Sequence, residues 1–86
     1  MAKASRADRI KTAIATAYGN RGLSKMADAA GISKQLLSFI VAGDREATDD
    51  VYRKIAEALL KEADRERAAA KKIDHIAGGM LAELEK

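Results

Sequence analysis

Apolar residues recur along this chain at helical spacing, in short segments separated by glycines and by Ser or Thr residues suited to capping. Ile10, Ala13, Ile14 and Ala17 stand at i, i+3, i+4 and i+7, one face of a helix that Ser5 caps and that runs from Arg6 to about Tyr18. Gly19-Asn20 should end it, because both residue types tolerate the left-handed conformation of a helix C-terminus. Ser24 is the expected cap of a second, very short helix ending at Ala30, with Met26, Ala27 and Ala30 inward and Gly31 as its stop. Ser33 starts a third helix with Leu37, Ile40 and Val41 inward, closed by Gly43-Asp44. Thr48, followed by Asp49 and Asp50 at the positive end of the helix dipole, opens a fourth, whose predicted apolar face is Val51, Tyr52, Ile55, Ala56, Leu59 and Leu60.

From Lys61 to Lys72 the chain is charged on most sides, with Lys61 and Asp64, and Glu62 and Arg65, spaced to pair along a solvated helix. A weaker apolar stripe of Ile73, Ile76, Ala77, Met80, Leu81 and Leu84 follows. Gly78-Gly79 interrupts it and is expected to break or bend the helix, at about 1 kcal/mol per Gly relative to Ala.

Composition narrows the class. The 86 residues include 19 alanines, three aromatic residues (Tyr18, Phe39, Tyr52), no Pro and no Cys. Such a chain predicts an all-α domain of thin, closely approaching helices, without disulfides or thiolate metal sites. A single His leaves too few ligands for an ordinary zinc site, so neither metal nor cofactor is expected. His75 itself reads as a surface helix residue. With no apolar run of the ~20 residues that cross a bilayer and no signal-peptide pattern, the expected location is the cytoplasm. The net charge of +3 is unevenly spread: residues 1–48 carry eight Lys or Arg against four acids, and residues 49–86 carry eight against nine. The positive excess therefore lies in the first half.

Between Leu23 and Gly43 the residue types match what two short helices packed at a steep angle require. Ala27 is small where the helices approach most closely, and Gly31 supplies a left-handed turn. Ile32, Leu37 and Ile40 act as knobs, while Ser33 caps the second helix and leaves its first side chains pointing outward. The pattern Ala27-x-x-x-Gly31-Ile32-Ser33-x-x-x-Leu37-Ser38-x-Ile40-x-x-Gly43, with Lys54-Ile55-Ala56-Glu57-Ala58-Leu59 downstream, resembles the Cro and lambda-repressor-like (XRE) helix-turn-helix family over about residues 5–62. The resemblance implies a lambda-repressor-like domain of about five helices. It also implies that the third helix enters the major groove of double-stranded DNA, commonly in a dimeric transcriptional regulator on a palindromic operator. Two positions depart from the family's habit: Leu23 or Ser24 stands where a phosphate-gripping Gln is frequent, and Val41 where Glu is frequent. Phosphate contacts are accordingly expected at other positions.

On this reading Lys34, Gln35 and Ser38 read base edges, Gln pairing with adenine and Lys with guanine, and Phe39 packs on a thymine methyl or partly into the core. Lys25, Ser33, Arg45, Arg21, Lys3 and Arg6 are the candidate phosphate partners. The expected division is a helix-turn-helix domain over residues 1–62 and a helical extension over 63–86, in which Ile73, Ile76, Met80 and Leu84 form a homodimer or fold back on the domain. Symmetry would then set two half-sites about 34 Å apart, or a multiple of it. The leading expectation is a repressor. An antitoxin that wraps a toxin with residues 61–86, or an adapter docking proteins through Leu36, Phe39 and Val41, is the alternative. An enzyme is disfavoured by the lack of a nucleophile–base pair, a phosphate-binding Gly loop or a metal-ligand cluster.

Overall fold

The computed structural model describes residues 5–85, and among them it contains four helices and no strand. They are α1 (Arg6–Tyr18), α2 (Gly22–Ala30), α3 (Lys34–Ala42) and α4 (Asp49–Leu84). Three of the expected caps are in place. Ser5 Oγ accepts from the Asp8 N–H at 3.1 Å, Ser33 Oγ from Leu36 N–H at 3.0 Å and Thr48 Oγ1 from Val51 N–H at 3.2 Å, each satisfying a donor the helix leaves free.

The fourth expected cap is not. α2 begins at Gly22, three residues before the start that a Ser24 cap would set, and its N-cap Arg21 makes no side-chain cap bond. The reason lies in packing against α1. A Cβ at Gly22 would come within 2.6 Å of Tyr18 Cβ and 2.8 Å of Ile14 Cγ2, so only glycine allows this first turn to lie so close to α1. Starting there also brings Leu23 onto the core.

The core is built from all four helices. Ile10 and Ile14 of α1, Met26, Ala27 and Ala30 of α2, Leu37 and Ile40 of α3, Ala47, and Ile55 and Ala58 of α4 are buried together. Ala13, Tyr18, Leu23, Ile32, Leu36, Val41, Val51, Tyr52 and Leu59 pack around them. Small residues at Ala27, Ala30, Ala47 and Ala58 hold the helices close, which lets so few large side chains fill a common interior. The face predicted for the fourth helix shifts slightly: Ala58 is inside, whereas Ala56 and Leu60 are exposed.

The largest correction concerns the end of the chain. α4 runs 36 residues through Gly78-Gly79 without the break that was one of the two outcomes, break or bend, expected there, a length of about 54 Å. The about five helices that the family resemblance implied are therefore four here. The rod is held by strong helix formers on both sides of the glycines and by ion pairs at helical spacing: Arg65 with Glu62 at 2.6 Å, and Arg67 with Asp64 in place of the predicted Lys61. Only its first part touches the rest of the protein. Every described residue from Asp64 onward is exposed, and the molecule measures 61 × 32 × 20 Å.

Candidate nucleic-acid interface

α2 and α3 are joined by the three residues Gly31, Ile32 and Ser33. Gly31 adopts φ 71° and ψ 33°, the left-handed conformation that reverses the chain, and Ile32 N–H donates to Ala27 O at 3.0 Å to close the end of α2. Ala27 is buried at the helix approach, and Leu37 and Ile40 anchor α3 from below. Ser33 then caps α3 with extended backbone, and Lys34 and Gln35 at the start of the helix are exposed.

Burial divides α3 into two faces. Leu37 and Ile40 are inside, and Leu36 and Val41 are half-buried at the margins. Gln35, Ser38, Phe39 and Ala42 fall at i, i+3, i+4 and i+7 on the opposite side, with Lys34 exposed beside them. The predicted base readers therefore share one outward strip, along which Phe39 is 40% exposed and Ser38 is half-buried. Ala42 joins that strip and was missed in the sequence reading. Its spacing from Gln35 and Ser38 was the available signal, and its small side chain leaves the end of the strip flat. The strip carries a cation, an amide, a hydroxyl and an aromatic ring, groups able to meet base edges and a thymine methyl.

The candidate phosphate residues are dispersed around it. Arg21, the N-cap of α2, and Arg45, just past the αL cap Gly43 of α3, are both exposed, and Arg45 N–H donates to Phe39 O at 3.3 Å. Ser33 lies at the N-terminus of α3, where orphan N–H groups and the helix dipole favour an anion. Lys25 is exposed but borders a cleft with Asp28, Tyr18, Glu62 and Arg65, whose acids compete for its charge. In that cleft the Tyr18 hydroxyl is buried, and burial, reinforced by nearby Glu62, raises its pKa above the usual tyrosine value. Lys3 lies outside the described residues.

Arg6 has a different placement from that expected of an arm residue. Its guanidinium donates to Ala47 O at 3.0 Å, pairs with Asp49 at 2.7 Å and sits 4.7 Å over the Tyr52 ring. It fastens the start of α1 to the start of α4. A guanidinium so engaged clasps the two helix starts together.

The helix-turn-helix family model matches residues 14–64, spanning the end of α1 through the first part of α4. The chain belongs to the Cro and lambda-repressor-like (XRE) helix-turn-helix family and is a DNA-binding regulator of that class. No curated protein and no solved structure matches it. Among the described residues no helix is long and apolar enough to cross a membrane.

Proposed function

We propose that this chain is a sequence-specific transcriptional repressor that binds a palindromic operator as a homodimer, with α3 in the major groove. The observation that carries this reading is the outward strip of Lys34, Gln35, Ser38 and Phe39 on a helix whose other face is locked by Leu37 and Ile40. A rigid helix with its readers on one side presents them together, as base recognition requires. Arg21, Ser33, Arg45 and Lys25 supply phosphate contacts that set register and make binding fall with salt. Residues 1–62 form the DNA-binding unit. The extension over residues 63–86 brings two such units together through Ile73, Ile76, Met80 and Leu84, which are exposed rather than folded back on the domain. Repression follows by occlusion of the promoter, and no catalytic step is involved.

Selection of bound duplexes from a random library, followed by salt titration of the enriched sequence, tests this function. Enrichment of an inverted repeat bound about 1,000-fold or more above random DNA is expected. Weak binding with no enriched sequence would overturn it and favour an antitoxin or adapter role for the exposed extension.

A further inference from the structure

The exposed stripe on the second half of α4 lies on the same helix face as the buried residues of its first half. At about 100° per residue, Ile73 stands 18 residues and five full turns from Ile55, directly in line with it. Ile76 aligns likewise with Ala58, and Met80 and Leu84 fall within about 20° of Ile73. The face that rests on the domain core from Val51 to Leu59 thus continues, uncovered, beyond it. Ile73, Ile76, Met80, Leu81 and Leu84 are each 60% or more exposed there.

This alignment limits how a second copy can lie on the stripe. A parallel partner in register would run along the same face toward Glu62 and collide with the domain that occupies it, and its own domain would collide in turn. An antiparallel partner runs the other way along the stripe and carries its own domain off in the opposite direction. The stripe is also built for reversal. Exchanging each residue i for 153 minus i maps Ala69 onto Leu84, Ile73 onto Met80 and Ile76 onto Ala77, so the central seam positions pair apolar with apolar, while Leu81 at the margin comes level with Lys72. The two-fold axis of a self-complementary interface demands that property.

Resting on the homodimer reading above, we propose that two copies pair through residues 69–84 of α4 as antiparallel rods centred between Ile76 and Ala77. In this register Leu84 lies level with the partner's Ala69, beyond the point at which α4 leaves its own domain, so the rods fit without overlap of the cores. Lys72 and the partner's Glu83 share one edge of the seam about 3 Å apart along the axis, an attractive pair. The five exposed apolar side chains offer roughly 500 Å² per chain, or about 1,000 Å² in the pair, the lower limit for a specific interface and the size of a weak, reversible dimer. Glu62 and the partner's Glu62 then stand about 45 Å apart along the axis, so the two DNA-binding units sit at opposite ends. The domain cores lie further out: Ile55 and the partner's Ile55 stand about 65 Å apart along the axis, close to two DNA turns of ~34 Å each, which favours half-sites two turns apart.

The chain has no cysteine, so single introduced cysteines report the geometry directly. Under mild oxidation Ala77→Cys is expected to crosslink to itself nearly completely. Ala69→Cys and Leu84→Cys should each remain uncrosslinked alone and should crosslink to each other when mixed. Self-crosslinking of Ala69→Cys or Leu84→Cys would overturn the antiparallel arrangement, as would a dimer in sedimentation with no crosslink at Ala77→Cys. A wild-type monomer that still enriches an operator would overturn this pairing while leaving the DNA-binding reading intact. The expected crosslinks without an enriched operator would support the pairing and overturn that reading.

Discussion

Ile55 and Ile73 project from the same side of α4, five turns apart, yet Ile55 is 2% exposed and Ile73 65%. The contrast separates a residue that holds the domain from one that, on the dimer proposed above, meets a second copy. Ile55→Ala should cost the domain about 2–5 kcal/mol, because it leaves a cavity in the shared core beside Ile10 and Ala13 of α1. Ile73→Ala should leave the unfolding of the isolated domain within about 0.5 kcal/mol of wild type and weaken self-association instead. Thermal melts set beside sedimentation equilibrium check both halves.

Removal of residues 73–86 should give a folded monomer that binds its operator at least tenfold more weakly. The core is complete before that segment begins, whereas the exposed stripe is lost. Sedimentation of the truncated chain decides the matter, and a persistent dimer would place the interface elsewhere.

Gly22 and the Gly78-Gly79 pair should respond in opposite directions to alanine. At Gly22 the added methyl meets Tyr18 and Ile14 inside 3 Å, so Gly22→Ala should destabilise the fold by about 1–3 kcal/mol. At Gly78 and Gly79 a Cβ meets nothing within 4 Å, and each substitution should stabilise the helix by about 1 kcal/mol. Circular dichroism during heating distinguishes the two cases.

Arg6 and Arg21 should separate stability from binding. Arg6→Ala removes the hydrogen bond to Ala47, the partly exposed pair with Asp49 and the contact over Tyr52, a loss of about 1 kcal/mol in the melt with the salt dependence of DNA binding unchanged. Arg21→Ala should leave the melt unchanged, weaken all DNA sequences alike and reduce the salt slope by about one.

Much of this arrangement was legible in the sequence because the signals were local. Ser5, Ser33 and Thr48 announce helix starts by a chemistry that acts within three residues, and Gly19, Gly31 and Gly43 mark ends by positive φ. The positions of Leu37 and Ile40 fix which side of α3 faces outward, so Gln35 and Phe39 could be placed from spacing alone. What escaped depends on distant neighbours. Ser24 is a good capping residue, but the close approach of Gly22 to Tyr18 starts α2 earlier. Arg6 looks like a free basic arm until α4 brings Asp49 and Tyr52 to it from more than 40 residues away. Gly78-Gly79 is a weak point by propensity, yet the surrounding helix formers outweigh it across a rod of 36 residues.

The central claim is that α3 reads base pairs through its outward strip, and the most direct measurement compares the sequences selected by wild type and by Gln35→Ala. The account predicts that one base-pair position in each half-site loses its preference, at about 1–3 kcal/mol, while the rest of the site is retained. Identical enriched sites from the two proteins, or a uniform loss of affinity with no change in preference, would contradict it.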